Sequence, residues 1–276
     1  MAGSSMKRGD LNAYSKPTGL DRPVWEQFVV YVNGVIHLDF GQSYSTRRPV
    51  LIEVVERLPA TAQLAASALI LVMAIGIPLG LLAGVLTRDG RHTGLTVVFS
   101  GVTSAIGAVP GFLMATILSV VFAVWLHWLP VGAGPRVPLW QALILPAVSL
   151  AIGPVAVLSR IVRVETLNVL AQEYVRTARG KRLPQHVIYF RHVLPNTLTA
   201  AMTLGGLLMA SLLGGAIIVE NVFTWPGVGT RLVSAILVGD YPVVQGAALT
   251  LAFLVVIINA VVDALIAIFD PRTLNR

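Results

Sequence analysis

No cysteine occurs among the 276 residues, so disulfides, thiol nucleophiles and cysteine-ligated metals are excluded. Charge is scarce too: Asp, Glu, Lys and Arg make up 12%, about half the share of soluble domains. No G-x-x-x-x-G-K-[ST] loop exists, because Gly180-Lys181-Arg182 lacks both the upstream glycine and the hydroxyl residue. The chain therefore does not bind nucleotide by that route. His37, His92, His127, His186 and His192 form no H-x-x-x-H pair and have no carboxylate cluster beside them in sequence, and there is no G-x-S-x-G elbow. A metal site, a cofactor site and hydrolytic catalysis are accordingly not expected. What remains is apolar: 55% hydrophobic residues and a mean hydropathy of +0.78, too hydrophobic for disorder despite 25 glycines and 16 prolines. The expected class is an all-α membrane protein, a polytopic helical bundle with membrane lipid around it and no nucleic-acid partner.

Five uncharged apolar runs reach the roughly 20 residues that cross a hydrocarbon core: 60–86, 94–126, 139–159, 193–219 and 243–262. The second is long enough for one tilted, broken helix or two short ones, since Pro110-Gly111 interrupts it. Charge decides between them. Arg88 and Arg91 follow the first run, and residues 160–192 carry seven basic groups against two acidic ones. If both segments are cytoplasmic, an even number of crossings separates them, so 94–126 supplies one. Five spans result, with residues 1–59 and 220–242 outside and the C-terminus inside. All five tryptophans (Trp25, Trp125, Trp128, Trp140, Trp225) fall on outer segments or span ends, as interfacial belts do. The outer segment has no signal peptide or span before it, so it either crosses unaided or follows a first span that this chain lacks.

Two stretches of the outer segment have helical periodicity: Trp25, Phe28, Val32, Val35 and Ile36, then Leu51, Val54, Val55 and Leu58 after Pro49. Both are expected to lie on the membrane face or against their own bundle. Within the spans polar chemistry is thin. Gly76, Pro78 and Gly80 are read as loosening the first run, while Gly206, Ala210 and Gly214 form a small-residue strip for close helix packing on the fourth. Asp263 is read as the only acid near a span interior, and no deep ionisable relay of the kind a proton-driven carrier needs is visible.

The concentrated signal is the basic loop 160–192. It reads either as a patch for anionic lipid headgroups or as a short helix over 173–179 that presents Tyr174, Val175 and alternating charges to another protein. Glu173-Tyr-Val-Arg-Thr-Ala-Arg179, followed by Arg191-His-Val-Leu-Pro-Asn196, resembles the cytoplasmic EAA loop of binding-protein-dependent ABC importers, in the variant of dipeptide/oligopeptide permease subunits. The family pattern is E-A-A, three residues, Gly, nine residues, then I-x-L-P. It falls here on Arg176-Thr177-Ala178, Arg182 and His192-Val193-Leu194-Pro195. Arg182 stands where the family has glycine, two residues after Gly180. A turn needing positive φ either shifts its register or strains Arg182. Val219-Glu-Asn-Val-Phe-Thr-Trp-Pro-Gly-Val-Gly229, Asp240-Tyr-Pro-Val-Val-Gln-Gly246, Asp270-Pro-Arg272, Gly19-Leu-Asp-Arg-Pro-Val-Trp25, Asp39-Phe-Gly41 and Arg57-Leu-Pro-Ala-Thr61 also look like the family's segments in order and spacing.

The resemblance implies a bacterial inner-membrane permease subunit without catalytic residues. Residues 1–59 would be an extracytoplasmic segment and 60–276 the permease domain, with the family's first span absent. It implies a second permease as pathway partner, two ATP-binding subunits that hold the ATP, an extracytoplasmic substrate-binding protein, and di- or oligopeptide cargo. The ATPase-coupling residues would be Glu173, Tyr174, Val175, Arg176, Thr177, Ala178, Arg179, Gly180, Arg182, Leu194 and Pro195. Nickel or another small solute fits the same architecture, and a self-sufficient ion-coupled carrier or a non-transporting scaffold stands as the different class.

Overall fold

The computed structural model describes residues 23–269 apart from Arg91, Pro135 and Arg136. Side chains of 89, 199–207, 209–210, 258, 261–263 and 265–269 lie outside that description. The described chain is helical, with no strand beyond one antiparallel bridge between Gln42 and Pro49. We number the helices α1 (Val24–Ile36), α2 (Val50–Leu86), α3 (Thr93–Ala108), α4 (Gly111–Leu118), α5 (Leu139–Leu170), α6 (Glu173–Gly180), α7 (Leu194–Val222), α8 (Val228–Val238) and α9 (Tyr241–Phe269).

The expected first, third and fifth runs each lie within one helix, and the fourth does so from Leu194 onward. Among the described residues α2 and α5 are long and apolar enough to cross a membrane singly. The second run is broken where expected. Pro110 lacks an N–H and forces Val109 to extended geometry, so α3 stops at Ala108. The chain restarts as α4, which winds on as a π-helix over Ser119–Trp125, and the two pieces are bent by 94°.

α2 is longer than its apolar run. The periodic stretch after Pro49 is its first turns, so the expected boundary at residue 59 falls inside a continuous helix, with Val50 and Val54 buried. Pro49 precedes the helix and brings the φ that an N-terminus needs. The periodic stretch before it forms α1, which buries no residue.

The central pair is α2 against α5, and three glycines permit it. Gly76, Gly80 and Gly84 share one face of α2 and meet Leu158, Ser159 with Val162, and Thr166 of α5. A Cβ at Gly80 would stand 2.6 Å from the Val162 Cβ and overlap the Ser159 carbonyl. These glycines are thus a packing strip, not a loosened segment. On the fourth run, Gly206 and Ala210 lie among the undescribed side chains, and Gly214 has open space around it. Gly80→Val destabilises the protein by about 1–3 kcal/mol, whereas Gly214→Ala is expected to be near neutral; thermal unfolding in detergent compares them.

Around this pair Leu64, Val72, Leu158 and Val162 form the main core with Leu212, Val219, Phe223 and Trp225. Trp225 is therefore no belt residue: it is fully buried, and its Nε1 donates to the Ala60 carbonyl at 2.9 Å. Trp25, Trp125, Trp128 and Trp140 are exposed as a belt requires. Two smaller cores close the ends. One gathers Val50 and Val54 with Val228, Ala235, Val243 and Ala247; the other, at the far end of α2, gathers residues around α6.

The first end carries a polar cluster. Arg231 of α8 donates from Nε to Glu53 of α2 at 2.7 Å and from Nη2 to Asp240 at 3.4 Å, all three side chains being nearly or fully buried. Asp240 also accepts from the Ser43 hydroxyl at 2.5 Å, the Ser45 hydroxyl at 2.8 Å and the Tyr44 amide at 3.0 Å. Burial alone raises the Asp240 carboxyl, but the Ser43, Tyr44 and Ser45 donors outweigh it and hold it down at about 2, from an ordinary 3.8. Because the folded value is the lower one, this carboxylate stabilises the fold above pH 4 or so and loses that effect as pH falls toward 2. Melting temperature followed from pH 5 to 2 should fall over that window, and Ser43→Ala should move the fall upward in pH.

Glu220 is a further correction. It is not in an outer loop but in the last turns of α7, fully buried, accepting from Thr61 Oγ1 at 2.6 Å and the Thr230 amide at 3.1 Å. Gly227 is small because that carboxyl group occupies the space of its Cβ, and at Gly229 Ile217 and the same carboxyl share that space. Asp263, which the sequence reading singled out instead, lies among the undescribed side chains.

Candidate functional site

α5 runs to Leu170, and after Ala171-Gln172 the chain turns into α6, residues Glu173–Gly180. The expected short helix thus exists, one residue longer than its expected end. Two turns of isolated helix are unstable in water, so packing must hold it. Val175 and Ala178 do this, on one face and buried among Val169 and Leu170 of α5, Ile188 and Val193. Leu81 and Val85 of α2 border the same cluster. α6 is therefore seated on the ends of two spans and on the segment leading into a third.

The opposite face is open. Glu173 and Arg176 side chains are 87% and 68% exposed and touch each other at 3.2 Å, a solvent-screened pair worth about 0.3–0.5 kcal/mol. Tyr174 stands between them in sequence, partly exposed; its burial and the nearby Glu165 carboxylate push the phenol above its usual range, so it stays a hydrogen-bond donor at neutral pH. Thr177 is exposed and bonds back to the Glu173 carbonyl at 3.0 Å. Acid in the first turn and Arg179 in the last suit the helix dipole. Arg179 faces sideways into a cleft of about 230 Å³ that it lines with Arg88, Leu183, Gln185, Ile188 and Tyr189.

The end of α6 settles the question of the turn. The Leu183 amide donates to the Ala178 carbonyl at 3.3 Å and the Arg182 amide to the Arg179 carbonyl at 2.8 Å. That pair of bonds is a Schellman cap, whose C′ residue must be left-handed and is usually glycine. Here C′ is Arg182, with φ +56°, while Gly180 is the last helical residue. The register is unshifted and Arg182 bears the strain. The same cap closes α8 with glycine in place, at Gly239 with φ +72°. Arg182→Gly should stabilise the protein by about 1 kcal/mol, and Gly180→Ala by a few tenths to 1 kcal/mol, since its Cβ would meet open space; unfolding midpoints measure both. Leu194 and Pro195 close the loop by opening α7, which continues directly from a π-helix over Ile188–Val193.

Of the sequence-selected residues, 173–180 thus form one helix, Arg182 its cap, and Leu194-Pro195 the start of the next span. Val175 and Ala178 are anchors, not surface. Among the described residues no group of three or more His, Asp or Glu is arranged to hold a metal.

Residues 76–275 match the model of the family described as binding-protein-dependent transport system inner membrane component. The chain is 38% identical over 260 residues to a putative peptide transport system permease protein of Brucella abortus (strain 2308), covering 92% of this chain and 81% of that protein. It is 36% identical over 255 residues to the glutathione transport system permease protein GsiC of Escherichia coli (strain K12), covering 92% and 80%. Its fold is similar to a chain of the inward-facing MetNI methionine ABC transporter, with a TM-score of 0.65 at 17% identity over 79% of this chain and 96% of that one. A chain of an amino acid ABC transporter solved with histidines gives 0.53 at 16% identity, over 79% and 92%.

Proposed function

The chain belongs to the binding-protein-dependent transport system inner membrane components, and on that premise we propose that it is a permease subunit of an ATP-driven importer of di- or oligopeptides. The reported relatives are named for peptides and for glutathione, itself a tripeptide, which favours this cargo over nickel or another small solute. Membership in the family sets aside the self-sufficient carrier and the scaffold.

The observation that carries the mechanism is the seating of α6: anchored through Val175 and Ala178 to the ends of α2 and α5, open through Glu173, Tyr174, Arg176 and Thr177. A helix fixed so cannot tilt alone. Force applied to its exposed face passes to the spans as a rigid-body movement, because packed cores shift between discrete arrangements. Partner ATP-binding subunits hold the ATP, dock on this face and close together; the spans follow, and the pathway formed with a second permease changes the side to which it opens. In this reading the segment from Val24 to Pro49 and the α8 region after α7 face the outer side, where a binding protein delivers the peptide, and α6 lies in the cytoplasm.

The test is uptake of a radiolabelled dipeptide by vesicles that contain the chain with its partner permease, ATP-binding subunits and binding protein. Uptake that requires ATP and all components supports the reading. Uptake by the chain alone, or none with the whole set assembled, overturns it.

A further inference from the structure

The cleft beside Arg179 belongs to more than α6. Three stretches far apart in sequence wall its 230 Å³ or so. Arg88 comes from the short 3₁₀ turn that follows α2. Arg179 and Leu183 come from the end of α6 and its cap, and Gln185, Ile188 and Tyr189 from the segment that winds into α7.

The lining is rich in donors. Each guanidinium presents its N–H groups as a planar fork that can hold a carboxylate by two bonds at once, and the Gln185 carboxamide and Tyr189 hydroxyl can donate as well. Leu183 and Ile188 give the cleft an apolar wall, Ile188 being 4% exposed. An ion pair formed there is screened less than the open Glu173–Arg176 pair.

Size and charge pattern narrow the occupant. Small-molecule pockets run from about 300 to 1,000 Å³; this cleft is smaller and suits one side chain rather than a nucleotide or a peptide. Between Glu173 and Leu183 the one acid stands at the start of α6, and Arg176, Arg179, Lys181 and Arg182 follow it. The docking face is therefore polarised. A partner that matches it sets a base against Glu173 and an acid against the far end, where the cleft lies.

We propose that the cleft is a socket for an aspartate or glutamate side chain of the ATP-binding subunit, held between Arg88 and Arg179. The proposal rests on α6 as the docking element and adds a second point of contact, the turn after α2. Movement of the partner then reaches α2 directly through Arg88, as well as through the buried side of α6 that borders Leu81 and Val85.

Carbodiimide coupling in the assembled importer tests this. The reagent activates a carboxylate, a neighbouring amine displaces it as its urea, and an amide joins the two groups. The chain has three lysines, Lys7, Lys16 and Lys181, so Arg88→Lys and Arg179→Lys each bring a new amine to the cleft and keep its charge. The expected result, read by mass spectrometry of digests, is residue 88 or 179 joined to an aspartate or glutamate of the ATP-binding subunit. Arg88→Ala, in protein that melts as wild type does, should weaken binding of the purified ATP-binding subunits about tenfold, and Arg48→Gln, at the other end of the bundle, should leave it unchanged. Coupling confined to carboxylates of the chain itself, such as Asp89, overturns the proposal, and so does wild-type binding by Arg88→Ala. A Thr177→Cys crosslink to the same subunit separates the two readings: if it forms while residues 88 and 179 couple to nothing, α6 docks and the cleft is no socket. If neither forms, the docking reading falls as well.

Discussion

Glu173→Arg reduces ATP-driven uptake by at least about thirtyfold while leaving insertion and melting temperature unchanged. The fold does not depend on this side chain: it is 87% exposed, and its one side-chain partner is Arg176 across a screened surface pair. Reversing its charge puts three arginines (the new one, Arg176 and Arg179) on a helix of eight residues. A partner surface complementary to the native pattern then meets like charge, a penalty of about 2 kcal/mol or more. Uptake in vesicles with all components, beside a thermal melt of the purified subunit, separates the two effects. Normal uptake would remove α6 as the docking element, and a lowered melting temperature would make the loss structural.

Arg231→Met is expected to have the largest effect on stability. The guanidinium lies between Glu53 and Asp240, side chains only 5% and 1% exposed. Without it two buried carboxylates keep their hydroxyl and amide donors but lose their cation, and leaving buried charge uncompensated costs about 3–5 kcal/mol. The triple variant Arg231→Met, Glu53→Gln, Asp240→Asn removes all three charges together, so most of that loss should be recovered. Denaturation midpoints of wild type, single and triple variants measure the coupling. A single variant as stable as wild type would mean that water reaches the cluster.

The contrast between the two ends of the molecule shows what a linear reading can reach. α6 was legible because its cues are local: alternating charge, an acid in the first turn, a Leu-Pro at the fixed distance where α7 begins. The break at Pro110 was legible for the same reason. The turn at Arg182 was left open because the spacing falls on Arg182 while the residue that suits positive φ, Gly180, stands two positions earlier, and only the pair of cap hydrogen bonds decides between them.

At the other end several decisive contacts are distant. Glu220 meets Thr61 across 159 positions, and Arg231 meets Glu53 across 178. An acid at the end of an apolar run reads as the beginning of a loop when its hydroxyl partner lies on another helix. Trp225 failed similarly, since an aromatic beside Pro-Gly has the composition of an interface whether it faces lipid or the Ala60 carbonyl. The α2 glycines were misread because spacing shows that a helix has a smooth face but not what lies against it; Val162 and Ser159 supply that answer.

The absence of cysteine makes the central claim directly measurable, because a single introduced thiol is unique in the chain. Thr177→Cys places one on the exposed face of α6, and Gly180→Cys places one at its end, where a Cβ meets open space. With the assembled importer carrying cysteine-substituted ATP-binding subunits, a short thiol-to-thiol crosslinker is applied with and without ATP. The account predicts that the residue 177 thiol joins the permease to an ATP-binding subunit and that ATP changes the yield. A thiol at residue 177 that never crosslinks, in a complex whose uptake is intact, would contradict it.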